Sequence, residues 1–206
     1  MKLSRKALIS ILIIVVLGTS SLVVWSQFVS APKEIAVLET SMGAIEIQLD
    51  RQKAPVTVDN FVKYIKTGFY DGTVFHRVKP KFVIQGGGFN TANVEKTTNA
   101  PIKLESHNGL KNTVGTIAMA RTNVGDSATS QFFINLVDNI NLDYVSASNP
   151  GYAVFGKVVS GIEVIQKMAD VPTEIRNIFL PAYNMTYPFD DWPKQDIVII
   201  KAYLKP

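Results

Sequence analysis

The sequence predicts a mainly β domain, a barrel or sandwich of antiparallel strands closed by two helices and preceded by a hydrophobic N-terminal segment. Three observations lead there. About eight short runs rich in β-branched and aromatic residues are separated by Gly, Pro, Asn and Asp turns. Only two stretches carry helical periodicity, one near either end of the domain, and no internal repeat is visible. The chain of 206 residues suits one domain of ordinary size, which buries roughly 70% of its unfolded surface and needs no disulfide or metal to hold it.

The first element is the hydrophobic one. Residues 7–29 hold no charge for 23 positions and follow Lys2, Arg5 and Lys6, the pattern of a signal peptide or of an uncleaved signal anchor. The run is long enough to span a bilayer. Val29-Ser30-Ala31 resembles a small-residue cleavage site, but Pro32 directly after the cut opposes cleavage, so an anchor is favoured. Residues 1–31 are thus expected to be signal peptide or anchor and residues 32–206 the folded domain. On either alternative the basic end stays in the cytoplasm and the rest is exported, to the periplasm, where the anchor would tether it to the inner membrane.

Composition removes several function classes. The net charge is +4, yet of 21 basic residues three lie in the acid-free N-terminal segment, leaving 18 against 17 acidic ones. A nearly neutral body lacks the footprint of a nucleic-acid binder. The absence of cysteine excludes a disulfide framework, a thiol nucleophile and a zinc–thiolate site, and two histidines, His76 and His107, are too few for a histidine metal cluster. No cofactor or metal is expected.

The domain opens with IAVLET, a turn at Ser41-Met42-Gly43, and AIEIQLD, where Ile45, Ile47 and Leu49 alternate with Glu46, Gln48 and Asp50. Alternation of this kind is a hairpin with one wet face. Pro55 can open a helix, in which Val58, Phe61, Val62 and Ile65 fall at i, i+3, i+4 and i+7 before Gly68 ends it. Strand material follows at 75–89, 114–121, 130–136 and 151–159, with a polar, irregular stretch from Thr91 to Pro101. Ser160 and Glu163 have the spacing of a capping box for a second helix, with Ile162, Ile165 and Met168 on one face and Pro172 beyond it. DIVIIKAYL, 196–204, is the last strand.

The candidate chemistry sits in 75–89, FHRVKPKFVIQGGGF. Arg77 is a lone cation among Phe75, Val78, Phe82, Val83 and Ile84, with Gln85 and three glycines after it. Such an arginine either snorkels from the end of a buried strand or serves as a specific donor. No phosphate-binding glycine motif, paired-acid site or G-x-S-x-G turn is present. What remains is one Arg, two Gln and a set of Phe and Met residues, suited to electrostatic help in an apolar groove without a covalent step.

FHRVKPKFVIQGGGF, GTIAMAR, SATSQFFIN and GYAVFGKV, in that order, resemble the signature blocks of the cyclophilin family of peptidyl-prolyl isomerases. The similarity runs from about Glu34 to the C-terminus and is closest to the exported bacterial branch, through APVTVDNFVKYIKTGFYDGTVFHRV. It implies a closed eight-stranded antiparallel β-barrel capped by two α-helices, acting as a monomer on proline-containing peptides and unfolded exported proteins. It also implies roles. Arg77 matches the catalytic arginine, with Gln85 beside it to pin it. Phe82, Met119, Phe133 and Leu142 match the walls of the proline pocket, Ala120 and Arg121 the segment whose backbone pairs with substrate, and Gln131 the groove glutamine. His76 reads as a structural hydrogen-bonder next to the site, and Tyr152 stands where many eukaryotic members have a histidine.

Two departures stand out. Asn141 occupies the place of the tryptophan of cyclosporin-sensitive members, and residues 173–194 form a longer segment than a compact member needs, with Phe179, Tyr183, Tyr187, Phe189 and Trp192 in it. A loop of that length is commonly functional or disordered, although its aromatics can also pack it onto the barrel. Two functions compete: an isomerase assisting the folding of exported proteins, or a binding module or chaperone that uses the same groove without turnover. Arg77 together with the full pocket favours the isomerase.

Overall fold

The structure, a computed structural model, describes residues 34–180 and 184–206. The hydrophobic segment expected at 7–29 and the boundary at residue 31 lie outside the described residues. Among those described, no helix is long and apolar enough to cross a membrane.

The hairpin read from the sequence is β1 (Ile35–Thr40) and β2 (Gly43–Leu49), and the alternation of β2 is borne out, with Ile45, Ile47 and Leu49 buried. Next come α1 (Pro55–Lys66), the short β3 (Val74–Phe75) and β4 (Arg77–Lys79), and β5 (Val83–Gly86). Then follow β6 (Thr116–Met119), β7 (Phe132–Asn135), β8 (Val154–Ser160) and α2 (Ile162–Ala169). The chain ends with β9 (Thr173–Leu180), β10 (Met185–Pro193) and β11 (Ile197–Leu204).

Nine of the strands form one antiparallel sheet in the order β3-β11-β1-β2-β8-β6-β7-β5-β4. The edge strands β3 and β4 are separated by His76 alone, so the sheet curls until its two edges are successive parts of one bent segment. This is a nearly closed barrel. The expected count of eight becomes nine because residues 74–79 break at His76, β3 pairing with β11 and β4 with β5.

Both helices bury their apolar faces in the same cluster as the inward side chains of the barrel, α1 through Val58, Phe61 and Ile65, α2 through Val164, Ile165 and Met168. Phe61 lies at the centre, with ring centroids 5.0 Å from Phe155, 5.2 Å from Tyr70 and 5.6 Å from Phe132. The first residue of α1 is Pro55, and its N-cap residue, Ala54, supplies no side-chain acceptor. Glu105 does so from afar: its carboxylate accepts from the Val56 and Thr57 amides at 3.1 and 2.8 Å and from the Thr57 hydroxyl at 2.7 Å. A negative charge there also complements the helix dipole.

Two expectations are corrected. The capping box at Ser160 does not form: Ser160 ends β8, and Gly161, at φ +85°, is the N-cap of α2. Only glycine fits there, since a Cβ would stand 2.3 Å from the carbonyl oxygen of Ala44. The long segment 173–194 is not a loop but the antiparallel hairpin β9–β10. Ile178 and Trp192 are fully buried against Val74 and Phe89, and Phe189 packs beside them, whereas Phe179 and Tyr187 stay exposed. The hairpin therefore covers the outer side of β3.

Candidate active site

Side chains on paired antiparallel residues share a face of the sheet. The pairings Arg77–Gln85, Gln85–Phe133, Phe133–Ala118 and Ala118–Val154 form one row across β4, β5, β7, β6 and β8. With strands about 4.8 Å apart, this row carries a guanidinium, an amide and an aromatic ring side by side on the outside of the barrel. The neighbours along each strand point the other way: Ile84, Phe132, Ile134, Ile117 and Met119 belong to the interior cluster. Strand parity thus divides core from site.

A cavity of about 230 Å³ lies over this row, lined by Arg77, Phe82, Val83, Gln85, Ala120, Arg121, Phe133, Leu142 and Tyr152. That is below the 300–1,000 Å³ common for cofactor and drug sites and suits a single ring with its flanking backbone. Its floor is a second buried cluster, Val83, Ala118, Phe133 and Val154, on which Phe82, Leu142, Ala120 and Tyr152 pack. Phe133 and Tyr152 meet edge to face at 5.5 Å.

Eight of the ten expected site residues line the cavity together: Arg77, Phe82, Gln85, Ala120, Arg121, Phe133, Leu142 and Tyr152. Gln131 adjoins them, since Gln85 Nε2 donates to its Oε1 at 3.0 Å. Gly88 makes room for it, because a Cβ there would lie 2.6 Å from the Gln131 side chain. Met119 is not on the wall: one residue past Ala118, it points into the barrel core. Val83 takes the place expected of it. Among the described residues Gln85 makes no hydrogen bond to Arg77, and its Nε2 donates to Gln131 instead. Arg77 instead lies 5.7 Å above the Phe82 ring and 3.9 Å, Nε to Oδ2, from Asp191.

The turn between β4 and β5 sets Phe82. Pro80 and Lys81, the latter at φ +59°, form its centre, and the Phe82 amide donates to the Lys79 carbonyl at 3.1 Å, as in a type II turn. Its carbonyl accepts from Leu136 N at 2.9 Å and from Asn139 Nδ2 at 3.0 Å. Leu142 is held by Asn112, whose Nδ2 donates to the Leu142 carbonyl at 3.0 Å and whose amide donates to Asp143 Oδ1 at 2.7 Å. These buried Asn and Asp residues had no signal of their own in the sequence, because their partners lie 30 or more residues away in several of these bonds. Arg121 spans the far rim, donating from Nε to Gly151 O and from Nη1 to Thr122 O, both at 2.8 Å, with its guanidinium 4.6 Å over Tyr152.

His76 is buried in an aromatic cage, its ring centroid 4.8 Å from Phe89, 5.6 Å from Trp192 and 6.2 Å from Phe189. Its Nδ1 has no hydrogen-bond partner, and the hydrogen bonding expected of it is confined to the Val74 backbone, so the ring is held mainly by packing. Burial first, then the neighbouring charge of Arg77, lowers its pKa to about 3, with the Val74 backbone opposing the shift.

The family model described as cyclophilin type peptidyl-prolyl cis-trans isomerase matches residues 35–204. The chain belongs to this family. A peptidyl-prolyl cis-trans isomerase of Acinetobacter baylyi is 52% identical over 82% of this chain and 84% of its own length. Peptidyl-prolyl cis-trans isomerase A of Dickeya dadantii is 51% identical over 85% of this chain and 86% of its own. In fold the chain is similar to a Cryptosporidium parvum cyclophilin crystallised in the presence of the dipeptide Ala-Pro, with a TM-score of 0.66 at 21% identity, covering 84% of this chain and 99% of that one. The chain is a peptidyl-prolyl cis-trans isomerase of the cyclophilin type.

Proposed function

We propose that this cyclophilin isomerises X-Pro bonds in the groove over the Arg77–Gln85–Phe133 row, with Arg77 as the catalytic donor. The observation that carries the assignment is the convergence of the Arg77 guanidinium with Phe82, Phe133 and Leu142 around a cavity sized for one ring, while the second guanidinium of the lining, Arg121, is bonded to the Gly151 and Thr122 carbonyls at the far rim. Amide resonance sets a barrier of about 18–20 kcal/mol to rotation about the prolyl bond, and no covalent bond has to break. A proline ring seated among Phe82, Val83, Phe133 and Leu142 loses water from the planar, more polar amide, which disfavours it relative to the twisted state. Arg77 donates to the prolyl nitrogen, whose lone pair becomes basic only as resonance is lost. A donor that gains strength in the transition state accelerates the step.

Gln85 and Gln131 spend one amide group each on the other, and the Gln85 carbonyl is left to accept from substrate backbone. Ala120 and Arg121 flank the groove where an extended peptide would run. Arg77→Ala tests the reading: folding unchanged by circular dichroism, and exchange NMR on a proline peptide showing a loss of about 100-fold or more, the scale of removing one transition-state donor. Near-wild-type turnover in the folded variant overturns it.

For location, we infer export with a retained tether, supported by the three cations before the uncharged run at 7–29 and by Pro32 after the cleavage-like site. Unfolded exported chains would then be the substrates. Cell fractionation decides this, and a shortened protein free in the periplasmic fluid removes the tether.

A further inference from the structure

Among the described residues a single carboxylate comes within 4 Å of the Arg77 guanidinium, and it is contributed by the hairpin that departs from the compact barrel. Asp191 Oδ2 lies 3.9 Å from Arg77 Nε and 3.9 Å from Lys79 Nζ. Its position is built rather than incidental. The pairing of β10 with β9 slips between Phe189–Arg176 and Trp192–Glu174, so Asp190 and Asp191 together oppose one residue of β9. A bulge of this type re-aims a side chain. Asp191 adopts φ +61° within it, a left-handed conformation that is uncommon outside glycine.

The residue after it is fixed. Trp192 is fully buried, its indole donates to Asp196 Oδ1 at 3.2 Å, and Arg176 stacks over it at 5.1 Å while donating to the same carboxylate at 2.8 Å. Electrostatics gives the bulge a purpose. Arg77 and Lys79 occupy alternate positions of one strand and so share a face, where two cations repel. A carboxylate between them offsets that repulsion. It also approaches the guanidinium on its Nε side, which leaves the edge formed by the two terminal amino groups free.

We propose that Asp191 is a positioning residue for Arg77, holding the Nε edge so that the terminal amino groups face the peptide in the groove. This rests on Arg77 being the donor, as assigned above. Asp191→Asn keeps the size and tolerates the same backbone, so it tests the charge alone. Loss of a partly exposed partner of this kind corresponds to about a two- to fivefold fall in kcat, with KM and Tm little changed. In an Arg77→Ala background the same substitution changes nothing further. Unchanged or raised kcat in Asp191→Asn, or an equal loss in the Arg77→Ala background, overturns the proposal. Because any variant can misfold, a second measurement uses the unmodified protein: the Arg77 Nε–H NMR resonance should exchange with solvent more slowly than those of exposed arginines, and equally fast exchange overturns the proposal too. Wild-type activity in Arg77→Ala would instead refute the underlying assignment of Arg77.

Discussion

Acid should destabilise this protein through His76, and the size of the effect follows from where the ring sits. A histidine free in the unfolded chain takes up a proton near pH 6.5, whereas the buried ring holds out until about 3. Between those values the unfolded state binds the extra proton, so stability is fully present above pH 6.5 and is lost as the pH falls towards 3. The slope approaches about 1.4 kcal/mol per pH unit for one proton. Between pH 7.5 and pH 5 the loss sums to about 2 kcal/mol, a large part of a typical total of about 5–15 kcal/mol. One effect opposes it, since Phe89, Phe189 and Trp192 could stabilise an imidazolium by cation–π attraction. That attraction is worth about 0.5–2 kcal/mol per good contact, and the rings here meet His76 at interplanar angles of 50–86°. Burial together with the adjacent Arg77 charge prevails. The assay is urea unfolding of the wild-type protein and of His76→Phe at pH 7.5, 6 and 5. Carboxylates titrate alike in both, so the difference between the two curves isolates His76. The wild type should lose about 2 kcal/mol more than the variant over this range. Parallel curves, or an NMR titration that places His76 near 6.5, would refute the reasoning.

Two further perturbations are simpler. Glu105→Ala removes the acceptor that caps α1 from outside the helix and should cost about 1–2 kcal/mol, read as a lower urea midpoint at unchanged m-value; an unchanged midpoint would show that water caps the helix equally well. Asn141 is exposed beside Leu142 on the groove rim; if, as the sequence resemblance implies, it stands in for the tryptophan of cyclosporin-sensitive members, the protein should be an active isomerase that cyclosporin inhibits weakly. Missing an aromatic anchor of this kind costs about 2 kcal/mol, or roughly 30-fold in affinity. Asn141→Trp should recover it, and nanomolar inhibition of the unmodified protein or no gain in the variant would count against the argument.

Much of this was legible in the sequence because it depends on period. Alternation along β2 predicts its buried face, and the i, i+3, i+4, i+7 spacing of Val58, Phe61, Val62 and Ile65 predicts α1. The same rule, applied one residue further, would have moved Met119 from the pocket to the core and put Val83 on the wall, since Ala118 and Phe133 face outward together. Features that depend on distant partners were not legible. The capping box at Ser160 failed because a close approach to Ala44 demands glycine at 161, and the cap of α1 comes from Glu105, 48 or more residues away in sequence.

The hairpin shows the same limit at the site itself. Its aromatics gave the sequence reading two outcomes, a functional loop or a packed cover, and the structure joins them. Residues 74–79 form both edges of the barrel sheet, so successive side chains there face different surroundings: Phe75 and Val78 enter the core, Val74 and His76 meet the hairpin, and Arg77 faces the groove. Whatever packs against His76 is therefore one residue from Arg77. Trp192, pressed on that ring, brings Asp191 to the guanidinium, and the charge of Arg77 in turn helps keep the ring neutral. Packing and chemistry are coupled through the break in a single strand, which no pattern local to either segment could reveal.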